Sequence, residues 1–114
     1  MLFNRFKIIL VVFVVTTIST NAQSIFSEDY KSKADVKVYV VDYKSQADLA
    51  VFKVEYESQS KGNKGLWYFV DYKSQSDKSI FFVDYKTQAD LLIYFVDYKS
   101  QAGWINNQLK HLLY

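Results

Sequence analysis

The sequence predicts a mainly β, α+β fold in which six short strand-plus-helical-turn repeats wind into one compact domain. Three observations carry that expectation. A phrase of the form acid-Tyr-Lys/Glu-Ser/Thr-Gln/Lys-Ala/Ser recurs, with its tyrosine at Tyr30, Tyr43, Tyr56, Tyr72, Tyr85 and Tyr98. Each tyrosine is preceded by a short run rich in β-branched and aromatic residues. Each is followed by a short polar stretch too brief for a long helix. Repetition of this kind means that every unit buries its apolar face against a neighbouring unit.

The strands come first. Two residues before the tyrosine stand Val41, Val54, Val70, Val83 and Val96, and four before it Tyr39, Phe52, Tyr68, Phe81 and Tyr94. Side chains alternate along an extended chain, so these two columns share one face. The other face reads Val38/Val40, Val51/Lys53, Trp67/Phe69, Ile80/Phe82 and Ile93/Phe95, broken only by Lys53. Strands of this composition, apolar on both faces, are covered on both sides.

The turns follow. In Asp42-Tyr43-Lys44-Ser45-Gln46-Ala47-Asp48 the first aspartate is placed to cap a helical turn with its carboxylate. The same role is expected of Asp29, Glu55, Asp71, Asp84 and Asp97. A small residue (Ala34, Ala47, Ser60, Ser76, Ala89, Ala102) follows at fixed register and implies close backbone approach. A second acid column, Asp35, Asp48, Asp77 and Asp90, closes the turn or pairs with lysines. A repeat of this length leaves no room for the helix of an ordinary parallel crossover, which takes a dozen or more residues. The expectation is therefore that strands cross at steep angles or return by compact turns. The third repeat departs from the pattern: Lys61 replaces the aspartate and Gly62-Asn63-Lys64-Gly65 lengthens the connection, marking an exposed loop with positive φ angles.

Residues 1–22 read as a signal peptide, with Arg5 and Lys7, an apolar run from Ile8 to Ile18, and Thr20-Asn21-Ala22 as the cleavage site. The run is shorter than the roughly 20 residues of a membrane span, so cleavage is favoured over an uncleaved anchor. The repeat-built domain is 25–114, and its location is the periplasm or the medium. Without Arg5 and Lys7, the 14 Lys+Arg fall to 12 against 12 Asp+Glu, a net charge of zero. That balance gives no electrostatic reason to bind nucleic acid or, after leader removal, membrane. The chain has no cysteine, so its stability rests on packing, and a monomer is expected.

Repeats of the type Tyr/Phe-Phe-Val-Asp-Tyr-Lys-Ser-Gln-Ala-Asp, closed by Gln101-Ala102-Gly103-Trp104 and Lys110 to Tyr114, resemble a family of small, mostly bacterial domains named for a septoil knot. The resemblance spans about Tyr30 to Tyr114. It implies a deeply knotted backbone, a torus knot with seven crossings, and no assigned activity. It also implies an arginine after the closing tryptophan, where this chain has Ile105, so any ion pair made by that arginine is missing here.

Chemistry is sparse. His111 is the only histidine and lacks a nucleophile partner in the sequence, so no catalytic residue and no enzyme are expected. Tyr-Lys pairs occur in some oxidoreductases, but no glycine-rich phosphate loop accompanies them here. The six first-column acids could converge on calcium, but hard-cation sites mix ligand types, and capping is the preferred role. No metal and no cofactor is expected. The repeat tyrosines are read as packing over the turns, with a glycan- or peptide-binding face as the alternative. The most distinct candidate for interaction is the loop with Lys61, Asn63, Lys64 and Trp67. The function that follows is an exported, highly stable, non-catalytic structural or interaction domain of unknown partner. The alternative is an extracytoplasmic module for a glycan, a peptide or calcium.

Overall fold

In the computed structural model the described residues are 23–114, so the leader expected at 1–22 lies outside them. Six strands, β1 (Ser24–Ser27), β2 (Val36–Val40), β3 (Leu49–Lys53), β4 (Leu66–Phe69), β5 (Lys78–Phe82) and β6 (Leu91–Phe95), each precede a single 3-10 turn. The turns are turn 1 (Lys31–Lys33), turn 2 (Lys44–Gln46), turn 3 (Glu57–Gln59), turn 4 (Lys73–Gln75), turn 5 (Lys86–Gln88) and turn 6 (Lys99–Gln101). A short strand β7 (Gly103–Trp104) and a 3-10 segment, Asn107–Leu113, end the chain. The β-branched and aromatic runs form the strands, as their composition predicts.

The neighbours in the sheet are β4-β1-β5-β2-β6-β3, all parallel, and β3 also pairs with β4. The sheet therefore closes into a six-stranded barrel. Consecutive strands are mostly not neighbours. β5 lies between β1 and β2, and β6 between β2 and β3. The chain makes one circuit with β1 to β3 and a second with β4 to β6, the second slotted into the gaps of the first.

The parallel pairing overturns the expectation of steep crossings or returning turns, and the register shows why. At every interface the register slips in the same sense: Ile25 faces Lys78, Ile80 faces Val36, Val38 faces Leu91 and Ile93 faces Leu49. Ile93 thus meets Val40, the last residue of β2, on one side and Leu49, the first of β3, on the other. The connection from β2 to β3 has no strand length to retrace. It only steps sideways over β6, about 10 Å, well within reach of residues 41–48. A steeply staggered barrel removes the return journey that makes flat parallel sheets need long crossovers.

This uniform slip gives the barrel a six-fold pseudosymmetry, and equivalent residues form rings. Ile25, Val38, Val51, Trp67, Ile80 and Ile93 make a central layer with no exposure at all. Trp67 is the one large member and meets Phe69 edge-on at 6.0 Å. At one mouth the ring is Ser27, Val40, Lys53, Phe69, Phe82 and Phe95. There Lys53 Nζ sits 4.5 Å from the Phe95 ring centre and 5.6 Å from that of Phe69. The lysine that broke the apolar pattern is thus carried on aromatic faces at the rim.

The outer face is covered as well. Tyr39, Phe52, Tyr68, Phe81 and Tyr94 are half-buried, and every connection between the six strands, except that from β3 to its neighbour β4, runs across the strand it skips. The backbone locks this cover. Glu28, Val41, Val54, Val70, Val83 and Val96 each donate an N–H to a carbonyl of the central layer, at 2.7 to 2.9 Å. Glu28 takes the valine position in the first repeat, is buried, and pairs with Lys73 Nζ at 2.6 Å.

Candidate functional site

Each turn is closed by its own backbone. Its glutamine, or Lys33 in turn 1, donates to the tyrosine carbonyl, and the small residue donates to the carbonyl of the turn's first residue, as in Ala47 N to Lys44 O at 3.0 Å. The tyrosine stands in the position just before the turn in extended conformation, with φ from −125° to −131°. The caps expected of Asp29, Asp42, Glu55, Asp71, Asp84 and Asp97 are not made, since no acid side chain accepts from a turn amide. These acids stand one residue too early, and so short a turn leaves few amides for them to cap. All six are exposed. Among the described residues no three acids or histidines gather as a metal site would require.

The tyrosines also depart from expectation. Tyr30, Tyr43, Tyr56, Tyr72, Tyr85 and Tyr98 are 64–68% exposed rather than packed. The narrow barrel is already filled from within, and the half-buried aromatic column already covers it from outside. The six therefore form a girdle of projecting rings, each between an acid and a cation (a glutamate at turn 3). Lys33 lies 5.2 Å from the Tyr30 ring centre.

The acids that hold the fold are those of the second column. Asp48 Oδ2 accepts from Leu92 N–H at 2.9 Å, and Asp48 N–H donates back to Leu92 O at 2.7 Å. Asp35 does the same with Ser79, Asp77 with Ser24 and Asp90 with Lys37. Each carboxylate thus grips the edge of the strand that its connection crosses. The sequence showed these acids in register, but their partners are 44 or 53 residues away.

Two repeats lack the grip. In the sixth, Gly103 replaces the aspartate and pairs antiparallel with Ala50, so that β7 does with backbone what a carboxylate does elsewhere. Its φ of +150° suits glycine. In the third, Lys61 holds that position. The loop beyond it turns at Gly65, where φ is +80° and a methyl group would strike the carbonyl oxygen of Ala50.

The loop residues separate on inspection. Lys61 and Lys64 are exposed, whereas Trp67 is fully buried in the barrel and cannot contact a partner. Asn63 is buried too, and it anchors the tail. Its carbonyl and side-chain oxygens accept from Trp104 Nε1 at 3.1 and 3.0 Å, and its Nδ2 donates to Lys110 O at 2.9 Å. Trp104, Leu109, Leu112 and Leu113 then pack on the core, and Gln23 Nε2 donates to Leu113 O. The tail thus docks through Trp104. His111 is exposed, with Nδ1 3.0 Å from Gln108 O in its own turn.

Residues 22–105 match the family model of the 7(1) septoil knot domain. No curated protein and no solved structure matches the chain.

Proposed function

The chain belongs to the septoil knot domain family, and from that premise we propose that it is an exported, non-catalytic structural and interaction domain. It works as a monomer in the periplasm or the medium, persisting there and meeting its partner through the girdle of turns. We further propose that the double circuit is threaded as the seven-crossing torus knot for which the family is named.

The observation that carries this reading is the interleaving of the two circuits. β5 is held by β1 and β2, and β6 by β2 and β3. No strand of one circuit leaves without breaking ladders to the other. Proteolysis needs local opening, and a chain braced in this way opens only with its neighbours. Export rests on the leader-like composition of residues 1–22. The experiment is limited trypsin digestion of residues 23–114 beside an unfolded control. Survival many times longer than the control is expected; cleavage at the same rate discards the reading.

The exposure of the six tyrosines favours one second reading, an extracytoplasmic module that stacks a glycan or peptide on these rings. Replacing Tyr43, Tyr72 and Tyr98 by serine leaves trypsin resistance intact under both readings. It abolishes retention on a glycan array only under the second.

A further inference from the structure

We propose that the groove between turns 3 and 6 binds a small phosphate-bearing anion. The groove encloses about 660 Å³, within the range of roughly 300–1,000 Å³ typical of small-molecule sites. Into it face Lys61, Lys64 and Lys99, the hydroxyl-bearing Ser58 and Ser100, and Gln59, and no carboxylate lines it.

This concentration of cation is local. The domain after the leader carries equal numbers of positive and negative side chains. Three lysines around one concavity, with no acid on its walls, are therefore not a by-product of overall charge. They arise where the repeat is broken. At the position of Lys61 the regular repeats carry a carboxylate bonded to the neighbouring strand. Here a cation stands at the surface instead, and the inserted loop adds Lys64.

Lys99 completes the set. In turns 2 and 4 the first lysine is engaged: Lys73 Nζ donates to Lys33 O and pairs with Glu28, and Lys44 Nζ donates to Gln101 O. By the same register Lys99 would reach the carbonyl of Gln59. Among the described residues the Lys99 ammonium donates no hydrogen bond to it or to any other group. It is available to a ligand.

The donor set favours phosphate. Ammonium groups act as compact point charges on phosphate oxygens, and hydroxyl and amide groups add further donors. No repeat tyrosine lines the groove, so the proposal does not depend on the tyrosine reading.

The test is isothermal titration of residues 23–114 with inorganic pyrophosphate, with citrate as a non-phosphate polyanion. The variants are Lys61→Ala with Lys64→Ala, Lys99→Ala alone, and Lys31→Ala and Lys86→Ala as controls on other turns. Thermal midpoints without ligand establish that each variant is folded. One pyrophosphate per chain is expected, weakened at least about tenfold in either groove variant and little changed in the controls. Absence of binding overturns the proposal, as does equal weakening in the controls. Citrate binding as tight as pyrophosphate overturns the assignment to phosphate.

Discussion

Turns 1, 2, 4 and 5 differ from turns 3 and 6 at a single register position, and the difference separates holding the barrel from modifying it. In the first group an aspartate grips the strand crossed by its connection, and the four contacts repeat with nearly identical lengths. In the second group the acid is gone. Gly103 lets the chain leave the repeat and run back along Ala50, whereas Lys61 opens a loop that anchors the tail through Asn63 and walls a basic groove. The regular turns can vary little without loosening the closed sheet. The irregular pair, already bonded by other means, is where new chemistry has room.

That contrast is broken most severely by removing one regular unit, residues Val41 to Lys53. An open solenoid would lose stability in steps, but a closed barrel has no free end to shorten. The deletion is expected to abolish cooperative folding, seen as loss of a thermal transition by circular dichroism. A folded product would mean that closure is not essential.

A smaller but still large effect is expected at the irregular pair. Gly65→Ala meets both a positive φ and the Ala50 carbonyl, and should cost roughly 2–4 kcal/mol in urea unfolding. Gly103→Ala meets open space and only the backbone penalty, about 1–2 kcal/mol. Equal losses would show that the close approach at Gly65 is not what fixes the loop.

The smallest difference lies within the regular group. Asp90→Ala removes one grip at an exposed edge, about 0.5–1.5 kcal/mol. Asp48→Ala should cost more, roughly 1–3 kcal/mol. Its second carboxylate oxygen also accepts from Asn106 Nδ2 at 3.4 Å, a contact to the tail that Asp90 lacks. If the two variants unfold alike, the tail gains nothing from the Asp48 side chain.

How much of this was legible before the fold was known differs by residue. The strands were plain in the alternation around Val38, Ile80 and Ile93, and the loop in Gly62 and Gly65, because these signals depend on near neighbours. The tyrosines misled because an aromatic residue repeated six times reads as core, yet the core was already filled by the residues five positions earlier. The first-column acids misled for a related reason: capping depends on the length of the turn, and the turn is shorter than the pattern suggested. Trp67 looked like part of an exposed loop, but strand β4 begins before it and turns it inward. The basic groove had only half its signal in one place, since Lys61 and Lys64 lie close in sequence and Lys99 does not.

The sequence by itself determined the repeat length, the two-faced strands and the position of the irregular loop, and its motifs carried the resemblance to the family. The first three follow from local periodicity and composition, which survive in any arrangement of the chain. Only the tertiary structure decided that the strands run parallel, that they interleave in two circuits, and that the second acid column holds them. The reason is the register slip at each strand pair. It belongs to no single repeat, and it lets a short connection step over a neighbour without retracing its length.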